Sequence, residues 1–329
     1  MPYLLHMRHI TTNLGLYDQR VASRVYDPLN PRTTRARAVL AWGMHHWAIS
    51  AEFAFRTSLG FENVPPVPPP RPRAGRTLKA LRDKVFVTQA GLSSIMKHIV
   101  PLQREHSKGP LTLPYLTAAL GLYEQLRTWW MSIDPALRSL QVIEEAPPHV
   151  FMVTCMYHFA VGDLFRPFIT TSTRPTPHAA PLIEAGLPIE PCLSAAVDAT
   201  RQSRTLHRCI AKLYSYDQFM GFLPYYAFPV AFETLPSTSS LSLTFSWDAA
   251  SAFLADLRIL AHASKQLPAV PLATLGIEKA ASNMNIVLPD EAKQIFGEIK
   301  RRLAEDNDQE SQIGSLSSIL PTPTFRLRD

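Results

Sequence analysis

One segment, residues 147–169, constrains the fold more than any other part of the chain. It reads PPHVFMVTCMYHFAVGDLFRPFI, in which two prolines precede an apolar run and Arg166-Pro167 ends it. The apolar residues fall at nearly every position of a helical turn, so a helix formed here is hydrophobic around almost its whole circumference. The segment therefore predicts a central helix that neighbouring helices surround.

The rest of the composition agrees with a helical protein. The chain has 329 residues, of which 46% are hydrophobic and 18% charged, enough apolar material for a packed core. Glycine is scarce, with 13 residues, and proline is abundant, with 29. This balance favours helices that proline-containing loops connect. We expect an all-α fold, a single large multi-helix domain with long proline-rich loops.

Periodicity places the elements of this domain along residues 1–305. Apolar spacing and helix start and stop signals predict helices over 34–59, 77–104, 115–133, 149–166 and 192–216, and from Asp248 and Asp290 onward. A proline-rich loop is expected at 61–76, and short helices with a buried loop at 218–245. The polar residues 306–329 are expected to form a disordered tail.

Charge is distributed unevenly along the chain, whose formal net charge is +6. Residues 1–110 carry 16 Lys and Arg against 6 Asp and Glu, and the densest basic cluster is Arg32, Arg35 and Arg37. A basic surface could face nucleic acid or an acidic partner. Because the arginines of this half do not repeat on one helical face, we favour a solvated basic surface. The PxxP pattern at 64–73 could be a peptide ligand, but a surface connector is the favoured interpretation.

Catalytic and metal-binding patterns are not found in the sequence. His45 and His46 are adjacent, so they point to different faces of a helix and cannot chelate one ion together. Cys155 and His158 could approach on one face, but a buried thiol beside a core histidine is the favoured interpretation. We expect no catalytic, metal-binding or cofactor-binding residues, and a chain that is not an enzyme. The three cysteines and the lack of a membrane-spanning run indicate a soluble, intracellular protein.

The central segment resembles a signature of the fungal-specific transcription factor regulatory domain, the middle homology region of the binuclear zinc cluster family. It resembles the form that this signature has in the nitrogen-assimilation and xylanolytic-regulator-like members. The positions that carry the resemblance here are Met156, Tyr157, His158, Arg166, Pro167 and Phe168. A second segment, RARAVLAWGMHHWAISAEFAFRTSLG, resembles another part of the same domain, with Trp42 and Gly43 in place. We expect these eight positions to be structural, with Arg166 pairing with a buried acid or with helix-end carbonyls, and Asp163 as its near neighbour.

The resemblance implies a function in the nucleus, in the regulation of RNA polymerase II transcription. Its partners would be transcriptional co-regulators, a homo- or heterodimer partner, or a small-molecule effector, with no role for a membrane. The chain is expected to begin inside the regulatory domain and to lack the zinc cluster of the family. Direct DNA binding is not expected, because three scattered cysteines cannot build a six-cysteine, two-zinc module.

An alternative is a helical small-molecule binding protein that derives from this domain and has no transcriptional role. The aromatic residues that could line its pocket lie in the proline-dotted stretch: Tyr214, Tyr216, Phe219, Phe222, Tyr225, Tyr226 and Phe228.

Overall fold

The computed structural model describes residues 9–18, 31–55, 63–75, 77–105, 109–138, 148–171, 174–175, 177–213, 223–235, 247–267 and 269–317. From residue 31 onward the described α-helices are α1 (Pro31–Phe55), α2 (Leu78–Met96), α3 (Ile99–Glu105), α4 (Leu113–Ser132), α5 (Pro148–Phe165), α6 (Ala180–Glu184), α7 (Glu190–Leu213), α8 (Leu223–Thr234), α9 (Trp247–Ala263), α10 (Ala269–Asn283) and α11 (Asp290–Ser317). Residues 9–13 are also helical. The strands that accompany them are β1 (Ile169–Thr171) and β2 (Arg174–Pro175), an antiparallel pair. The predicted all-α class is confirmed.

Helix contacts divide the chain into two compact units, Met1–Tyr226 and Ala227–Asp329, with the boundary inside α8. In the first unit α5 packs most extensively against α7, and also against α2 and α4, while α1 packs against α2. The burial predicted for the central helix is confirmed: Val153, Met156, Ala160 and Leu164 are inaccessible to solvent. In the second unit α9, α10 and α11 pack against one another around Phe253 and other fully buried side chains.

Local signals account for where several helices begin. Thr77 and Thr112 each precede a helix and accept a hydrogen bond from a backbone N–H three residues on, which caps α2 and α4. In α4 the proline at position 114 stands in the first turn, where its missing N–H costs no helical hydrogen bond.

The structure differs from the sequence-based expectations at three helices. The helix predicted over 77–104 is two helices, α2 and α3, separated by a turn at Lys97 and His98. The break follows from Pro101, which cannot donate to the carbonyl four residues back and would clash with it in a continuous helix. In α3 the same proline lies in the first turn. Helix α10 was not among the predicted helices; its Pro271 lies in the first turn, which tolerates proline.

The last difference concerns the C-terminal end of the chain. Helix α11 continues to Ser317, so residues 306–317 are helical although they had been expected to belong to a disordered tail. Residues 290–305 are rich in good helix formers, and Asp290 and Glu291 in the first turn interact favourably with the helix dipole. Residues 306–317 are mostly Asp, Asn, Ser and other weak helix formers, so they continue the helix without support from propensity. Residues 318–329 and the helix stop predicted at Gly60 lie outside the described residues.

The described part of the proline-rich loop, 63–75, forms neither helix nor strand. It is nevertheless fixed to α1: the Trp42 indole Nε1 donates to the Val67 carbonyl at 2.8 Å, and the Arg35 guanidinium donates to the Arg71 carbonyl at 2.7 Å. The interpretation of this segment as a connector between helices agrees with these contacts. None of the described helices is both long enough and apolar enough to cross a bilayer.

Candidate functional site around the central helix

The end of helix α5 brings together three of the predicted site residues. Residue 166 precedes a proline, which disfavours the α conformation there, and the helix gives way to a 3₁₀ turn formed by Arg166–Phe168. The turn directs Phe168 into the core, where it is fully buried, with its ring centroid 5.6 Å from that of Tyr115 and 5.9 Å from that of Phe165. Pro167 therefore sets the position at which the chain leaves α5.

Asp163 is a carboxylate with no solvent exposure, in the last turn of α5. Its Oδ1 lies 3.3 Å from the Nε of Arg166, whose side chain is 35% exposed. Across the helix interface Gln103, in α3, donates from Nε2 to the Asp163 carbonyl at 2.6 Å and to its Oδ2 at 3.2 Å. Of the two roles expected for Arg166, a buried acid or helix-end carbonyls, this contact is the first, with the neighbouring Asp163 as the acid. A buried carboxylate needs such partners, because the loss of hydration would otherwise disfavour its charged form.

Gln103 is a member of this network that sequence reasoning did not identify. It lies sixty positions before Asp163 in the chain. The one available signal was that Gln103 is a polar residue that follows the apolar start of α3. Local periodicity cannot connect such a residue with a particular partner. The network ties α3 to the C-terminal end of α5.

Tyr157 and His158 belong to an aromatic cluster between α4 and α5. The Tyr157 ring stacks on Trp130, with centroids 4.4 Å apart and planes inclined by 9°, and Trp129 stacks at 6.1 Å on the same tyrosine. His158 packs at 5.1 Å against the Tyr157 ring and at 6.0 Å against Trp130. Burial raises the pKa of Tyr157 to about 12 and lowers the pKa of His158 to about 4, so both are neutral near pH 7.

Trp42 and Gly43, from the second resembling segment, lie in α1. Trp42 is buried and its indole anchors the proline-rich loop through Val67, as described above. A Cβ added at Gly43 would meet only Phe86 Cε2, at 3.8 Å, an ordinary van der Waals distance. The structure thus gives Trp42 a clear packing role but shows no steric need for glycine at position 43.

The two adjacent histidines of α1 point to different surroundings, as predicted. His45 is fully buried, with its ring centroid 5.6 Å from Trp42 and 6.3 Å from Tyr17. His46 reaches α2, where its Nδ1 lies 2.7 Å from Ser93 Oγ. Burial lowers the pKa of each histidine to about 4. Within the described ranges no group of His, Cys, Asp and Glu is arranged to hold a metal ion.

The cysteine that could have paired with His158 has an unreactive environment. Cys155 is buried, and its burial raises the pKa of the thiol to about 12. A nucleophilic cysteine needs the opposite shift, toward the thiolate at neutral pH. Among the described contacts none joins the Cys155 sulfur to the His158 ring. The favoured interpretation of these residues as core side chains agrees with this geometry.

Of two further candidates, the aromatic stretch lies mostly outside the described residues and the basic cluster lies within them. Of the seven aromatic residues that could line a small-molecule pocket, Tyr214, Tyr216, Phe219 and Phe222 lie outside the described residues, and only Phe228 has a described side chain, which is half-buried. The basic cluster at the start of α1 is described, and lines an open hollow of about 560 Å³ with Arg32, Arg35, Ala36, Val39 and Leu40.

The predicted signature residues thus form two adjoining groups on α5, the aromatic cluster and the Asp163–Arg166 network, with Trp42 and Gly43 on α1. Their contacts hold helices together and leave their titratable groups either neutral or paired. Comparisons of the chain with family models, with curated proteins and with solved structures found no match.

Proposed function

We propose that this chain is a regulatory domain of a fungal zinc-cluster-type transcription factor, and that it regulates RNA polymerase II transcription in the nucleus through a partner protein or a metabolite. In this proposal it is not an enzyme and uses no cofactor. It does not contact DNA itself, because its three cysteines do not suffice for a two-zinc module and two of them are buried in helices.

One observation carries the proposal. The residues of 147–169 that resemble the family signature coincide with the most completely buried helix of the first unit and with the turn that ends it. Single substitutions in a segment that organises the core in this way disturb several packed neighbours at once and therefore cost stability. Its resemblance is therefore better support for common ancestry than a match on surface helices.

A tethering experiment tests the proposal. The full chain is fused to a heterologous DNA-binding module in a fungal cell, and transcription of a reporter is compared with that from the module alone. We expect the fusion to reach the nucleus and to change reporter transcription. A nuclear fusion of normal abundance that leaves transcription at the level of the module alone contradicts the proposal.

A matched pair of variants links the effect to the folded domain. Phe168→Ala removes a fully buried ring, and Met131→Ala shortens a side chain that is 65% exposed. Replacement of a buried phenylalanine by alanine lowers the free energy of unfolding by about 3–5 kcal/mol, which is a large part of the stability of a typical domain. We expect the transcriptional effect to be lost with Phe168→Ala and retained with Met131→Ala.

A further inference from the structure

Helix α1 presents a mixed basic and apolar face near its start. Residues 32, 36, 39 and 40 follow the spacing of one helical face, and Val39 and Leu40 are 41% and 42% exposed. Arg35 and Arg37 flank this face on its two sides, given their positions around the helix. Three arginines therefore surround an apolar stripe of Ala36, Val39 and Leu40, which we call the α1 stripe.

Among the residues that the structure describes, the positive charge around the α1 stripe exceeds the negative charge of the carboxylates that face it. Arg35 contacts Asp83 at 2.7 Å, and Arg73 approaches the same carboxylate oxygen at 3.2 Å, so one acid serves two arginines. Arg32 and Arg37 are exposed and form no ion pair with the residues that the structure describes. Helix α1 has no acidic residue in its first turn, and its one acid, Glu52, is buried far along the helix.

The combination of charge and apolar area defines the kind of partner that fits. Exposed arginines attract carboxylates and phosphates alike. The apolar stripe between them favours a ligand that supplies hydrophobic side chains, which a nucleic-acid backbone does not. An amphipathic acidic helix would place carboxylates against the arginines and its apolar side chains on Val39 and Leu40.

We propose that the α1 stripe is a docking surface for an acidic, amphipathic segment of a partner protein. The inference names a partner class for the regulatory domain proposed above, but it rests only on the surface of α1. The binding test below is independent of the reporter test, so each can fail without the other.

The test uses the full chain and a fluorescein-labelled synthetic peptide of glutamate and leucine, with the leucines at helical i, i+3, i+4 spacing. Two further probes are a labelled polyglutamate peptide of equal charge and a labelled DNA duplex. Binding is measured by fluorescence anisotropy over a range of salt concentrations. We expect saturable binding of the amphipathic peptide that weakens as salt rises, and at least about tenfold weaker binding of the two other probes.

Two double variants examine the two components of the surface. Arg32→Glu with Arg37→Glu reverses charges that are not involved in the Asp83 pair, and Val39→Thr with Leu40→Gln removes apolar area. Each is expected to weaken binding of the amphipathic peptide by about tenfold or more, while circular dichroism shows an unchanged helix content. The matched control, Arg208→Glu with Arg301→Glu, makes the same change of net charge at exposed positions of α7 and α11, and is expected to bind as the parent chain does.

Three results would overturn the proposal. The first is no saturable binding of the amphipathic peptide. The second is equal or tighter binding of DNA or polyglutamate with no effect of the Val39 and Leu40 substitutions, which would make the surface a polyanion site. The third is an equal loss of binding in the control variant, which would show that net charge and not the α1 stripe governs the interaction.

Discussion

Gly91 and Gly121 offer a paired test of how helices α2 and α4 pack. Both glycines lie inside helices. Replacement of a helical glycine by alanine stabilises a protein by about 0.5–1 kcal/mol when nothing obstructs the new methyl group. At Gly121 a Cβ meets no atom within 4 Å. At Gly91 it would lie 2.9 Å from the Trp129 Nε1 and 3.3 Å from its Cδ1. The indole therefore has to move by about 0.5 Å to reach ordinary contact distance.

The indole is held in place, which turns this displacement into a loss of stability. Trp129 stacks on Tyr157 and lies 6.2 Å from Trp130, so a shift disturbs the whole aromatic cluster. Insertion of an extra methyl group into a packed interior costs about 1–3 kcal/mol. We expect Gly91→Ala to destabilise the chain by about 0.5–2 kcal/mol after the gain in helix propensity, and Gly121→Ala to stabilise it by about 0.5–1 kcal/mol.

Urea unfolding followed by tryptophan fluorescence measures both values, because four of the five tryptophans lie in the unit that holds the two glycines. The difference between the variants isolates the contact with Trp129, since the propensity gain is common to both. A Gly91→Ala protein that is as stable as Gly121→Ala would refute the packing described for α2 and α4.

Three further predictions concern titratable groups. Burial lowers the pKa of His45 from its ordinary value of about 6.5 to about 4, so the unfolded chain takes up a proton there before the folded chain does. The contribution of His45 to stability is therefore complete above about pH 6.5 and is lost as the pH falls toward 4. Urea midpoints measured at several pH values should fall less steeply with decreasing pH for His45→Phe than for the parent chain. Arg166→Met should lower the free energy of unfolding by about 2–4 kcal/mol, because it leaves the buried Asp163 carboxylate poorly compensated. The same substitution should cost less in an Asp163→Asn background, and additive losses in this double-mutant cycle would contradict the pairing. In the folded chain a thiol reagent should modify the half-exposed Cys209 well before the buried Cys155, as peptide mass spectrometry can show, and equal rates would contradict the burial of α5.

The features that the sequence made predictable are those with a local cause. The span of α5 follows from an apolar run between prolines, and the Asp163–Arg166 pair follows from a spacing of three residues on one helix. The separation of His45 from His46 is likewise a consequence of helical geometry.

The features that were missed depend on distant residues or on the position of a proline within a turn. Neither the Gln103 hydrogen bonds to Asp163 nor the stacking of Trp130 on Tyr157 can be found from periodicity, because each joins residues of different helices. The break before α3 could have been predicted, since Pro101 cannot occupy the interior of a helix. That Pro101 lies in the first turn of α3 depends on the position of the turn at Lys97, which the apolar periodicity does not indicate.

The attachment of the proline-rich segment to α1 also has a consequence for the energetics of folding. Prolines restrict the unfolded chain, so fewer conformations are lost when the residues 64–73 become ordered than in a glycine- or serine-rich connection of the same length. The hydrogen bonds from Trp42 and Arg35 then hold a backbone that is already stiff. The 64–73 segment therefore adds less to the entropic cost of bringing α1 and α2 together than a glycine- or serine-rich segment of the same length would.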